Sequence, residues 1–182
     1  MSATIAVLLL AQVSAGAATP PSAPGRPGCE GAAFSAFDFW IGEWDVYPEG
    51  KEQQVARSRI EKLYAGCAVR ENWMPLKGAG GGSLNAYDPD TGLWHQTWVG
   101  SAPGPVFFTG RPVAGGMVLT GRWKGSGPNG EDGLTRMTYG RRPDGSVRQH
   151  GEFSGDHGMT WQTTFDLIYR PRDIQSEGNQ HP

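Results

Sequence analysis

The chain has 182 residues, 37% hydrophobic, 10% aromatic and 19% charged, with 28 Gly and 14 Pro. So much Gly and Pro, roughly twice average usage, excludes a long-helix or coiled-coil protein, while seven Trp, five Tyr and seven Phe exclude a disordered one. A net charge of −2 offers no basic surface for a polyanion, so no nucleic-acid partner is expected.

In chain order, the stretch from Thr4 to Ala18 carries no charge and contains an apolar run from Ile5 to Ala11. Ala15-Gly16-Ala17 has the small-x-small spacing of a signal-peptidase site, which predicts a signal peptide over 1–17. No Lys or Arg precedes the apolar run, a departure from that pattern; the alternative is a buried N-terminal helix, shorter than the ~20 residues that span a bilayer. Residues 18–33 read as a Pro-rich linker, 34–170 as one domain and 171–182 as a polar, disordered tail. The expected location is periplasmic or secreted, with no stable membrane insertion once the leader is cleaved. Cys29 and Cys67 fit export, where an even count favours a disulfide. That bond would close a loop of about 39 residues, worth at most about 4 kcal/mol; two buried thiols are the alternative. Neither cysteine lies in a C-x-x-C pair.

Ten strands are expected, with turn residues between them: near Glu43–Tyr47, Val55–Tyr64, Cys67–Met74, Ser83–Tyr87, Leu93–Val99, Val106–Thr109, Gly116–Lys124, Leu134–Arg142, Ser146–Ser154 and Thr160–Arg170. Such spacing marks an all-β barrel or sandwich. The turns predict registers. Ala65-Gly66 as a two-residue turn sets Glu61 against Arg70, Ile60 against Glu71 and Ser58 against Trp73. A loop from Pro89 to Gly92 sets Tyr87 against Trp94, Asn85 against Gln96 and Ser83 against Trp98. Three-residue loops at Pro143-Asp144-Gly145 and Asp156-His157-Gly158 set Tyr139 against Gln149, Arg136 against Glu152, Phe153 against Trp161 and Arg148 against Asp166. Met137, Tyr139, Val147, Phe153, Trp161, Phe165 and Leu167 then share one face, a sorting that a one-residue slip would destroy.

Phe37-Asp38-Phe39-Trp40-Ile41-Gly42-Glu43-Trp44-Asp45-Val46 resembles the opening of a family of uncharacterised, often secreted bacterial proteins with a Phe-Asp-x-x-x-Gly-x-Trp-x-Val signature. Gly66-Cys67 with Glu71 and Trp73, Ser83-x-Asn85-x-Tyr87-Asp88, Thr91-Gly92-x-Trp94-x-Gln96-x-Trp98-Val99, Arg148-Gln149 and Thr160-Trp161 extend the likeness from about Phe34 to Arg170. Gly42-x-Trp44 is also similar to lipocalins and other calycin barrels. The resemblance implies a single antiparallel up-and-down meander barrel of about ten strands, with a short helical turn before the first. It also implies a Trp plugging one end, with Arg170 stacked on Trp44. It implies little chemistry.

Ser83, Asn85, Tyr87, Trp94, Gln96 and Trp98 share one face of one hairpin, and aromatic walls with a few amides suit a small-molecule pocket. The alternative is an ordinary core in which Asn85 and Gln96 bond each other. Glu71 shares its face with Ile60, Val69 and Trp73, where apolar neighbours would raise its pKa; alternatively it pairs with Lys62 across the hairpin. The ligand-binding candidates are therefore Glu71, Trp73, Asn85, Tyr87, Trp94, Gln96 and Trp98. His150 with Glu152 becomes an acid–base array only if that face lines the lumen, and is otherwise a solvated outer face. His95 points away from the Trp pair and His157 lies in a turn. No cofactor or metal is expected: the haem-barrel Gly-x-Trp-x-Gly-x-Gly pattern is missing, no two His fall at ligand spacing, and the glycines of Gly78 to Gly82 lack a phosphate-loop Lys. The reading is an exported barrel binding a small, partly apolar ligand, with Glu71 as its polar anchor. The alternatives are an enzyme using Glu71, His150 or Glu152, and a filled scaffold of the cell envelope. The loop from Gly125 to Gly133 serves as a lid or partner contact. Oligomeric state is not legible in these residues.

Overall fold

The computed structural model describes residues 28–172. The expected leader, the linker as far as 27 and the tail from 173 lie outside the described residues. A 3-10 turn at Asp38–Trp40 precedes ten strands: β1 (Gly42–Pro48), β2 (Ala56–Leu63), β3 (Ala68–Pro75), β4 (Gly81–Asp88), β5 (Leu93–Val99), β6 (Val106–Val113), β7 (Gly116–Trp123), β8 (Gly133–Arg141), β9 (Val147–Ser154) and β10 (Gln162–Pro171). Each strand pairs antiparallel with the next and β10 pairs with β1, closing an up-and-down barrel that leaves no sheet edge. Alternation does the sorting: in β2, Ala56, Ser58 and Ile60 are buried while Arg57 and Arg59 are exposed. β10 includes Pro171, and the Arg172 amide bonds Glu43 O, so the ordered chain runs past the expected start of the tail.

The β2–β3, β4–β5 and β8–β9 registers are those the turns predict, including Ile60 against Glu71, Asn85 against Gln96 and Tyr139 against Gln149. The β9–β10 register is not. Phe153 faces Gln162 rather than Trp161, and a bulge between Thr163 and Phe165 adds a further residue before Phe165 meets Gly151. The cause is Asp156, whose carboxylate bonds the Ser154 hydroxyl and the Thr160 amide and hydroxyl, stitching a loop wider than three residues. One residue of slip turns Trp161 to the outside, where Arg136 lies 4.1 Å over its ring. The second slip restores parity, so Phe165 and Leu167 still face the lumen. Arg148 and Asp166 meet diagonally at 2.7 Å instead of directly opposite.

One end of the barrel is sealed. Cys29 and Cys67 form a disulfide with Cα atoms 4.8 Å apart, tying the lead-in segment to the β2–β3 turn. Gly66 in that turn has φ +86°, and a Cβ there would meet Cys29 O at 2.9 Å, so only glycine lets the segment lie against it. Beyond it, Phe37 and Trp40 are fully buried in the barrel end, stacked with centroids 5.0 Å apart, each contributing on the order of 2–3 kcal/mol by burial. Trp44 donates its indole N–H to Trp40 O at 2.9 Å. Arg170 does not stack on Trp44: it faces Asp45 in the β1–β10 ladder, lies 4.3 Å over Tyr47 and forms a bidentate pair with Glu52. Alternation along β1 turns Trp44 inward while Arg170 lies outside, on the opposite face of the wall.

Candidate functional site

Above the plug, inward side chains from seven strands form a hydrogen-bonded floor. Glu71 of β3 accepts from Ser83 at 3.2 Å, and Ser83 accepts from Asn85 at 3.1 Å. Gln96 donates to Asn85 Oδ1 at 2.7 Å and lies 3.5 Å from the Tyr139 hydroxyl, which accepts from Gln149 at 3.0 Å. Tyr169 donates to Gln149 Oε1 at 2.6 Å, and its oxygen lies 3.4 Å from Glu71 Oε1, which closes the ring. Ser58 adds a bond to Glu71 at 3.2 Å. The ring satisfies polar groups that would otherwise each cost several kcal/mol in a dry interior.

Glu71 is only 5% exposed, and burial pushes its carboxyl up to about 7 against the pull of the Ser58 and Ser83 hydroxyls that donate to it. Burial likewise pushes the Tyr139 and Tyr169 hydroxyls up. A tyrosine has one proton to give. The 2.6 Å bond to Gln149 takes that of Tyr169, so the contact with Glu71 is best made by a proton on the carboxyl.

Over the floor stands a cavity of about 180 Å³ walled by Trp73, Trp98, Phe108, Trp123, Met137, Phe165 and Leu167. Gly151 makes room for one wall: a Cβ there would meet the Phe165 ring at 2.2 Å. Trp73, Trp98 and Trp123 also edge a wider vestibule among residues 79–80, 100–105 and 122–125, so three indoles stand at the passage from solvent to lumen.

Four of the expected ligand residues, Glu71, Trp73, Gln96 and Trp98, line this cavity. Asn85 lies behind it, holding Gln96 and the Val69 carbonyl. Tyr87 and Trp94 are on the expected face but below the floor, packed on the lead-in segment through Phe34 and Phe37; the Trp94 indole bonds Ala33 O. Lys62 does not pair with Glu71; its ammonium is held by Asp38 and Phe34 O at the sealed end. His150 and Glu152 face outward, His150 bonded to Thr163 and Glu152 to Arg136, so the condition for a luminal acid–base array is not met. Tyr139, Gln149 and Tyr169 also line the cavity; sequence reasoning put Tyr139 opposite Gln149 without naming either as a ligand residue, and did not single out Tyr169. The Tyr139–Gln149 register pointed to two of them. Among the described residues no cluster of three His, Cys, Asp or Glu could hold a metal.

Fold and floor together define a closed ten-stranded barrel with an aromatic lumen and, at its base, the one buried carboxyl among the described residues. Compared with known families and curated proteins, the chain matches no family model and no curated relative.

Proposed function

We propose that this is an exported barrel of the calycin-like kind that binds a small, partly apolar ligand in its lumen, with Glu71 as the polar anchor. The observation that carries the reading is the aromatic-walled cavity ending on Glu71, Gln96 and Gln149, since apolar area with a few placed polar groups is what holds and orients a small molecule. Export is supported by the disulfide, and no helix among the described residues is long and apolar enough to cross a membrane. The reading is tested by purifying the full chain from a cell fraction, identifying bound small molecules by mass spectrometry, and following Trp fluorescence against a panel of lipophiles. An empty preparation with a silent Trp signal would favour a scaffold role.

A second reading, an enzyme on the same barrel, draws on Glu71 alone. A carboxyl poised near neutrality can exchange a proton with a bound molecule. Loss of turnover in Glu71→Gln with retained binding would favour it.

A further inference from the structure

The chemistry of the lumen goes further than its shape, and the step rests on the small-molecule reading above. We propose that the lumen is a site for an organic ammonium, an amine on a compact apolar or aromatic body, with its nitrogen on Glu71 and its body between Trp73, Trp98 and Trp123.

Three observations carry this. Glu71 is the one carboxyl in the lining, and no Arg, Lys or His stands there with it. A carboxylate buried so deeply needs either a proton or a cation, and the described fold supplies no cation. The walls are aromatic, and the negative faces of indole and phenyl rings attract an ammonium while repelling a carboxylate or phosphate. The cavity, about 180 Å³, is slightly larger than an apolar cavity of about 150 Å³ that takes up benzene, which suits a single ring with a short chain. Arg122 and Lys124 in the vestibule are exposed to water, where their charge is screened within about 10 Å, so selection falls to the inner lumen.

The exchange balances. Below about pH 7 Glu71 in the free protein holds a proton that bonds the Tyr169 oxygen; the incoming ammonium takes that place, and the carboxyl proton leaves to solvent. The groups facing Glu71 are Ser58 from β2, Ser83 from β4, Tyr139 from β8, Gln149 from β9 and Tyr169 from β10. Only the two phenols titrate, and both stay protonated through neutral pH. Affinity for an amine must therefore rise with pH as Glu71 ionises, level off, and fall once the amine itself deprotonates near pH ~10.

The test uses the full chain with 2-phenylethylamine, 2-phenylethanol and 3-phenylpropionate, read by calorimetry and Trp fluorescence. At pH 8 the amine should bind at least about tenfold more tightly than the alcohol, and the carboxylate most weakly. The preference should shrink towards unity at pH 5.5, and at pH 6 amine binding should release about one proton. Glu71→Gln should cost the amine about tenfold and shrink its preference over the alcohol towards unity at every pH. The wild-type pH profile decides the matter even if that variant fails to fold. An alcohol or carboxylate bound as tightly as the amine at pH 8 overturns the ammonium assignment and leaves the luminal site standing. No binding of any of the three, with no co-purified molecule, overturns both.

Discussion

The carboxyl of Glu71 and the hydroxyl of Tyr169 meet 3.4 Å apart, although 98 residues separate them in the chain. Their strands, β3 and β10, are not neighbours; β2 and β1 lie between them in the closed sheet. The contact exists only because the barrel closes, and it places a proton-bearing group at the base of an aromatic cavity.

That placement makes stability depend on pH. Glu71 titrates near 4.5 when unfolded and is raised to about 7 in the fold. Below both values it has no effect. Between them the unfolded chain ionises while the folded one stays neutral, so rising pH favours unfolding, by on the order of 3 kcal/mol once past 7. Glu71→Gln keeps the size and removes the ionisation. Urea midpoints at pH 4.5 and pH 8 should show a loss in the wild type that the variant lacks.

Gly151 and Phe165 control the width of the lumen. Gly151→Ala puts a methyl where the ring now lies, which drives Phe165 into the cavity. Overpacking of this kind costs about 1–3 kcal/mol, and ligand affinity should fall with it. Thermal melting and fluorescence titration of the same sample read both effects; unchanged affinity would remove Phe165 from the binding wall.

The disulfide holds the plug. Cys29→Ser with Cys67→Ser should lower stability by about 2–4 kcal/mol, measured by denaturant midpoint. Because Phe37 and Trp40 follow directly on the tethered segment, reduction should also speed hydrogen exchange at the sealed end before it does so at the Trp73 mouth.

His150 and Glu152 serve the outer wall, so His150→Ala should leave luminal binding unchanged. Glu152→Ala breaks a partly exposed pair with Arg136 and should cost no more than about 1 kcal/mol. Titrations of both variants against the wild type check this.

Much of the fold was legible before any coordinates. Turn glycines and period-two alternation are local signals, and they placed ten strands and three of the four hairpin registers read from the turns, with Glu71 beside Trp73 and Asn85 against Gln96. The β9–β10 hairpin escaped because its loop width depends on the Asp156 side chain bonding Thr160, an interaction that spacing alone does not reveal. Trp161 therefore went to the wrong face, while Phe165 survived on restored parity.

The site divides along the same line. Residue type and strand parity by themselves determined which side chains share a face, with Glu71 beside Trp73, Gln96 beside Trp98, and Tyr139 against Gln149; that these faces line the lumen was decided by the closed barrel. Depth along the barrel and contact across it were decided only by tertiary structure. Parity says in or out but not how high, so Tyr87 and Trp94 fell beneath the floor and Trp123 rose to the mouth. The bond between β3 and β10 needed closure, because hydrogen-bond ladders join neighbouring strands and only a curved sheet brings distant ones face to face.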